Sequence, residues 1–569
     1  MNHRLLVCSI ALLSLCGAVP PVLAQTTGTA VPVVSPSAAR FVEPVAFDLS
    51  PPLRQLSRAP LGAARIEPQA VPVEVRPERG AVGSNGPFRA DPALQSSAAS
   101  RAQALAIAAT KANFDGLANA DNAAVLGFIV NPPDPVGAVG PAHYVQMVNL
   151  VFAVFDKQGN RLVGPASLGS LWAGFPVTDC AGQSGDPIVL YDQLEDRWVL
   201  TQFTSAGPIF YNCVAVSQTG DPTGAYFRYA FSAGEFFPDY PKYGVWTDSY
   251  VLTTREFGPT VEYRIGVYAL EKRRMIVGDP KARMLAFYLD SAVVPIALIG
   301  DGLLPATIDG TRRPSEFASI PIVGTQDDGG PYGAMFDALN IYNLDVKWRS
   351  TPIASLTLAT QLPVASFDSI FPCAPTSRDC LPQPGVTDPA RYLDILSYRQ
   401  RPTWRLAYRN FGDHEALVTA QSVEALPGVA GMRWYEIRRS AGSYSVYQQG
   451  TYAPNDGVHR WMGSVAMDRK GNIALGFSVV NGVDVFPGIR YTGRLAGDLL
   501  GQMTLGEGVV INGSGVQTTT NSRWGDYTSL NVDPTDDCTF WYVNEYYAVT
   551  GLAPWRTRIA SFGLPGCAP

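Results

Sequence analysis

The sequence predicts an all-β chain, a β-propeller preceded by a disordered leader, and three observations carry that expectation. Glycine (54), proline (46) and aromatic residues (25 Tyr, 25 Phe, 10 Trp) are abundant, which suits many short strands joined by tight turns. From about Val125 onward, short apolar runs rich in Val, Tyr, Phe and Trp alternate with Gly, Pro, Asn and Asp, the strand-and-turn pattern. About 440 residues of such text exceed what an ordinary sandwich holds, so a radial array of repeated units is the economical answer.

The N-terminus follows a different grammar. Met1-Asn2-His3-Arg4, an apolar run from Leu5 to Val19, and Val22-Leu23-Ala24 before Gln25 read as the three regions of a signal peptide, residues 1–24. No later stretch approaches the roughly 20 apolar residues of a membrane span. The mature chain is therefore expected outside the cytoplasm, secreted or periplasmic/cell-surface, with no integral membrane segment. Residues 25–111 are rich in Pro and Ala without a sustained period, and Pro51-Pro52 and Val71-Pro72-Val73 interrupt any regular element. This stretch reads as a leader or linker, with one short helix expected in the Ala-rich text between Asp91 and Asn113. Residues 112–569 are left for the propeller.

Six cysteines follow the signal peptide: Cys180, Cys213, Cys373, Cys380, Cys538 and Cys567. An even number in an exported chain points to disulfides, and sequence neighbours suggest Cys180–Cys213, Cys373–Cys380 and Cys538–Cys567 out of the 15 possible sets. A formal charge of −6 with 16% charged residues argues against a nucleic-acid partner. Nothing in the composition sets an oligomeric state.

Internal echoes support the array. Asp134-Pro135-Val136, Asp186-Pro187-Ile188 and Asp239-Tyr240-Pro241 each precede an apolar run, at steps of 52 and 53 residues. Related text recurs at Ser464–Gly476 and Ser529–Asp533, whereas Arg273–Val458 is less regular. Units of about 50–65 residues give six to eight blades, and seven is the expected number.

Three segments carry a family resemblance: Pro132–Val145 (PPDPVGAVGPAHYV), Arg405–Glu415 (RLAYRNFGDHE) and Arg523–Tyr527 (RWGDY). Over roughly residues 112–567 the chain resembles a family of large secreted bacterial proteins, mostly uncharacterised, with a propeller-like fold. The resemblance implies a fold and an exported life, and it brings no reaction with it.

Several familiar site signals fail. His414-Glu415-Ala416-Leu417-Val418 begins like a zincin helix but has Val418 where the second histidine must stand. No nucleophile elbow, P-loop, dinucleotide fingerprint, EF-hand loop or sialidase Asp-box occurs. What remains is a pattern of acidic residues before the first strand of several units: Asp134, Asp186, Asp239 and Asp526. Innermost strands line a propeller's axis, so such residues converge on one mouth of the channel. Asp134, Asp186 and Asp239 would there offer oxygens to Ca²⁺. Asp186, Asp239 and Asp526, with His414 as acid or base, would supply the carboxylates of a glycosidase. Arg460-Trp461 and Arg523-Trp524 with Tyr527 would bind substrate, a guanidinium forking onto an anionic group and an indole offering its face to a sugar ring. The bland alternative is that each aspartate caps its own turn and each Arg–Trp pair braces a blade junction. That turn role is the main expectation for Asp192, Asp248, Asp468 and Asp533 at strand ends.

The leading expectation is thus a secreted propeller that engages an extracellular glycan at an Asp/Arg/Trp-lined axial mouth, as a glycoside hydrolase or lyase if it is an enzyme. A non-catalytic cell-surface binding or adhesion protein and a calcium-dependent hydrolase of another polymer are the rival classes. Whether the chain catalyses anything is not written in its motifs.

Overall fold

The computed structural model describes residues 38–56, 70–72, 88–95, 106–259, 263–370, 379–395 and 401–567. The signal peptide expected over residues 1–24 lies outside them, as do Cys373 and most of the Ala-rich text.

The described residues form seven blades of four antiparallel strands. Blades 1 to 6 span 136–167, 188–234, 237–290, 304–363, 403–452 and 459–511. Blade 7 takes three strands from 529–563 and its outermost strand, Asn113–Ala118, from the start of the domain. The first strand of each blade touches the first strand of the next, and Ser529–Val532 of blade 7 touches Val136–Val139 of blade 1, which closes the ring. Between blades 4 and 5 this contact becomes a parallel pairing of Ala306–Ile308 with Leu406–Tyr408. The first strands all start at one end of the axis, here the top, and finish at the bottom.

Face-to-face packing of blades explains the apolar runs. A strand buried on both faces needs no alternation, and every residue of the innermost strand His459–Met467 and of the second strands Ile473–Val480 and Thr539–Tyr547 is buried. At about 25 cal/mol per Å² of apolar surface, such strands supply most of the drive to fold. Two disulfides, Cys180–Cys213 and Cys538–Cys567, match the expected neighbour pairing. Cys380 is also disulfide-bonded.

The stretch expected to be a disordered leader contains ordered pieces, and its described part corrects that expectation. Ala46–Leu49 adds a fifth strand to blade 2, and Arg40–Val42 does the same for blade 3. Asp91 meets Arg433 of blade 5 at 2.5 Å, both fully buried, and the Gln95 side chain bonds the backbone of Met503. The two added strands rest on backbone ladders at sheet edges, which need no hydrophobic period, and Asp91 and Gln95 are held by buried side-chain bonds. The described part of the Ala-rich text, 106–110, is not helical. The eight-residue helix lies instead at Asn119–Leu126, opened by Asp121 accepting from the Ala118 amide at 2.8 Å and ended by Gly127 at φ 84°.

Candidate functional site at the top of the axis

Asp134 and Asp186 each stand immediately before a proline at the start of a first strand, with φ of 45° and 44°. Non-glycine residues rarely adopt this left-handed conformation. In blade 3 the residue so placed is Tyr240, at φ 52° before Pro241. The aspartate echo therefore slips by one position: Tyr240, not Asp239, is the structural counterpart of Asp134 and Asp186. Asp239 reaches the same mouth from the preceding position.

A single amide ties the first two carboxyl-bearing residues together. Asn149 Nδ2 donates to Asp134 Oδ2 at 2.7 Å, and Asn149 Oδ1 accepts from the Asp186 amide at 2.9 Å. Blade 7 closes over them. The Asp526 amide donates to Asp134 Oδ1 at 2.7 Å, and the Tyr527 hydroxyl donates to Asp186 Oδ2 at 3.0 Å. Gly525 permits this approach, because a Cβ there would lie 2.9 Å from Pro135 Cδ and 3.1 Å from the Asp134 nitrogen. The Gly525 amide also donates to Glu545 Oε1 at 2.5 Å.

Cations complete the cluster. Arg523 pairs with Asp526 at 2.6 Å and with Asp394 at 3.1 Å. Arg401 lies 3.9 Å from Asp526 and stacks over the Tyr240 ring at 4.0 Å. Arg255 lies 3.9 Å from Asp239 and 3.6 Å from Asp301, which accepts from the Tyr332 hydroxyl at 2.6 Å. Lys242 Nζ sits 3.0 Å from the Tyr240 ring centroid and 3.4 Å from that of Tyr527. Lys242 Nζ, the Tyr240 hydroxyl and Glu545 Oε2 are buried with no hydrogen-bond partner among the described residues.

This environment moves protons. Burial, and then the Asp526 carboxylate, push Asp134 up to about 7 against the pull of Arg523 and its hydrogen bonds. Burial and the neighbouring Asp134, Asp239 and Asp526 raise Asp186 well above the usual carboxylate range. Asp239 is raised by burial and lowered in part by Arg255. Glu545 is raised, chiefly by burial, and Lys242 is lowered by burial and then by Arg401. Carboxyls outnumber cations in a desolvated space, so the cluster retains protons that isolated carboxylates would lose near neutral pH.

Of the expected site residues, Asp134, Asp186, Asp239, Asp526, Arg523 and Tyr527 come together here. The others do not. Trp461 and Trp524 are fully buried, pack on one another at 5.0 Å, and leave no indole face for a sugar; Trp524 Nε1 donates to Ser478 Oγ. Arg460 is fully buried and held by Glu507 at 2.7 Å and Asp456 at 2.8 Å. His414 sits in the hairpin after the first strand of blade 5, at the bottom of the axis, where it stacks on Phe411 and its Nδ1 meets Asp413 at 2.9 Å. The expected Ca²⁺ set also fails geometrically. Among the described residues, the group bringing three carboxylate oxygens within 4.8 Å of one another is Asp327, Asp328 and Asp337, not Asp134, Asp186 and Asp239. Asp327 and Asp337 accept backbone amides of Asp328, Gly329, Phe367 and Ser369, bonds that brace the loops around blade 4.

Asn149, Lys242, Arg255, Arg401 and Glu545 were missed by sequence reasoning. Aligning the dipeptides Asp134-Pro135, Asp186-Pro187 and Tyr240-Pro241, rather than the aspartates, would have placed Lys242 beside the mouth.

No family model matches the chain, and no curated protein matches it. Among solved structures, it is similar to an endo-arabinase from Bacteroides thetaiotaomicron, with 12% identity over 53% of this chain and 92% of that chain and a TM-score of 0.22. It is also similar to an α-L-arabinofuranosidase from Fusarium graminearum (10%, 67% and 94%, TM-score 0.25) and to an exo-β-1,3-galactanase from Phanerochaete chrysosporium (11%, 67% and 80%, TM-score 0.24). At such identities and TM-scores no residue role passes from those proteins to this chain, whose site stands on its own geometry.

Proposed function

We propose that this chain is an exported propeller that processes an extracellular glycan by acid–base chemistry at the top of its axis, as a glycoside hydrolase or lyase. The observation that carries the reading is the Asn149-bridged pair, Asp134 and Asp186, both raised by burial and by the Asp526 carboxylate, with Asp134 raising Asp186 further. A carboxyl raised well above the usual range keeps its proton at a pH where an ordinary carboxylate has lost it, and can deliver that proton to a glycosidic oxygen, the step that hydrolysis and elimination share. Asp186, whose acceptor oxygen holds the Tyr527 hydroxyl, is assigned as proton donor, with Asp134 as the partner that sets its proton affinity. Arg523 and Arg401 border the same space and would orient an acidic or hydroxyl-rich sugar. The disulfides agree with folding in an oxidising compartment.

One observation favours the rival reading of a non-catalytic binding protein. Asp134 and Lys242 are 2% and 1% exposed, so a ligand must reach a deep cluster. The experiment that decides is incubation of the mature protein with neutral and acidic polysaccharides, following new reducing ends and the ultraviolet absorbance of unsaturated ends. Turnover that Asp186→Asn removes while the fold persists supports the enzyme. Binding without turnover in the wild type, or turnover indifferent to Asp186→Asn, overturns the assignment.

A further inference from the structure

The bottom face carries two clefts unrelated to the axial cluster. One, of about 790 Å³, lies between the hairpins of blades 3 and 4; the other, of about 480 Å³, lies between those of blades 4 and 5. Both fall within the ~300–1,000 Å³ of ordinary ligand clefts. They share Ser315 and Phe317, so together they form one groove crossing three blades.

Phe317 is the ridge between them. It is 68% exposed, at φ 63°, a conformation that a bulky residue adopts only where its surroundings impose it. Lys347 Nζ stands 5.8 Å from the ring centroid. On the wall of the larger cleft, the side chains of Arg273 and Arg349 make no ion pair or hydrogen bond with the described residues, and all three cations are exposed. The acidic side chains of that wall are mostly engaged. Glu271 is gripped by Arg283 through two bonds of 2.6 and 2.7 Å, and Asp248 accepts from Ser249 Oγ at 3.0 Å. Among the described residues lining that wall, Glu316 and Asp248, whose bond is to a hydroxyl, oppose the three cations. A cationic cleft on a chain of net charge −6 runs against the bulk composition, and charge concentrated in a concave wall selects anions.

We propose that this groove binds a segment of an acidic polysaccharide, with sulfate or carboxylate groups on Arg273, Lys347 and Arg349 and a sugar ring on the face of Phe317. The site lies at the opposite end of the axis from the reaction centre proposed above and requires no turnover. It would hold a polymer to the protein while the top face acts.

Affinity electrophoresis of the mature protein in gels containing dextran sulfate, polygalacturonate, neutral dextran or polyphosphate tests this. Retardation is expected with one or both acidic polysaccharides, absent with dextran and weakening with salt. The triple variant Arg273→Ala, Lys347→Ala, Arg349→Ala should bind about tenfold more weakly, since it removes three exposed ion contacts at once. Phe317→Ala should weaken polysaccharide binding without changing its salt dependence, and Asp186→Asn should leave it intact. These side chains are exposed, so the variants should keep the wild-type unfolding temperature. No retardation by either acidic polysaccharide, or a triple variant retarded like the wild type, overturns the site. Polyphosphate binding at least as tight as that of the acidic polysaccharides, with both indifferent to Phe317→Ala, overturns the sugar assignment.

Discussion

In blade 2, one strand begins near one aspartate and ends on another, and the two are used differently. At the bottom, Asp192 Oδ1 accepts the Leu194 amide at 3.0 Å within its own turn. Asp468 does the same for Lys470 and Asn472, and Asp533 for Thr535. At the top, Asp186 bonds the Tyr527 hydroxyl, 341 residues away, and Asp134 bonds the Asp526 amide, 392 residues away. A bottom aspartate closes its own hairpin and, where it reaches a neighbouring blade, meets a cation there: Asp192 pairs with Lys272 at 2.8 Å and Asp533 with Lys157 at 2.8 Å. A top aspartate, Asp134 or Asp186, holds a left-handed backbone and gives one carboxylate oxygen to blade 7, which crowds carboxyls where distant parts of the chain must neutralise them.

The sharpest way to break this comparison is Asp186→Asn. The amide keeps the shape and an acceptor for Tyr527 but carries no transferable proton, so turnover should fall by about 10²–10⁴-fold. Folding stability should hold, because the amide keeps the neutral form that the buried, crowded carboxyl already favours. A parallel loss of unfolding temperature and activity would make Asp186 a structural residue like those at the bottom.

Next in size is a pH effect at Asp134. Its carboxyl stands at about 7 in the folded chain against 3.8 when unfolded, so the native state holds the proton more tightly. The resulting stabilisation is fully present below about pH 3.8 and is lost as pH rises through about 7, a change of ~4 kcal/mol. Denaturant unfolding across that window should show a falling stability in the wild type, shared with the other raised carboxyls, and Asp134→Asn should remove Asp134's part of that slope. An unchanged slope would place those protons on other groups.

The bottom end is also fixed covalently. Cys538, in the first hairpin of blade 7, is tied to Cys567 across 29 residues. Removing that link with Cys538→Ser and Cys567→Ser should cost about 3–4 kcal/mol by the loop-entropy estimate. Thermal unfolding reads the loss, and turnover per folded molecule should not change. Activity that fell with the disulfide would mean that the two ends are coupled.

Seven blades were legible because each middle strand, buried on both faces, writes a continuous apolar run. Asp134, Asp186, Asp526, Arg523 and Tyr527 were legible because each lies within a few residues of a strand start. Lys242 was not, because the aspartate echo put blade 3 one position out of step. Arg255 and Arg401 were not, because they reach the mouth from parts of the chain that no local pattern connects. Trp461, Trp524 and Arg460 were misread for a related reason: a blade junction uses large aromatics and paired cations at the same strand starts as a sugar site would. His414 was misplaced because its hairpin follows the strand, and so stands at the other end of the axis. The ordered pieces before residue 95 carried no signal, since a strand added at a sheet edge is held by its backbone.

The smallest expected effect is the control on which the comparison depends. Asp468 has the same residue type and burial as the top aspartates, and burial raises its carboxyl too. Yet Oδ1 accepts from Lys470 at 2.8 Å and Asn472 at 3.0 Å, and Oδ2 accepts from Asn472 Nδ2 at 2.8 Å, all within one turn. Asp468→Ala strands those donors, two of them on the buried Asn472, at a cost of about 1–3 kcal/mol. It should leave turnover per folded molecule untouched, because nothing in that turn faces the top mouth. Unfolding curves and specific activity together give the answer. If Asp468→Ala lowers activity as much as Asp186→Asn does, then a raised buried aspartate anywhere on the axis suffices, and the cross-blade geometry at the top is not what makes the site.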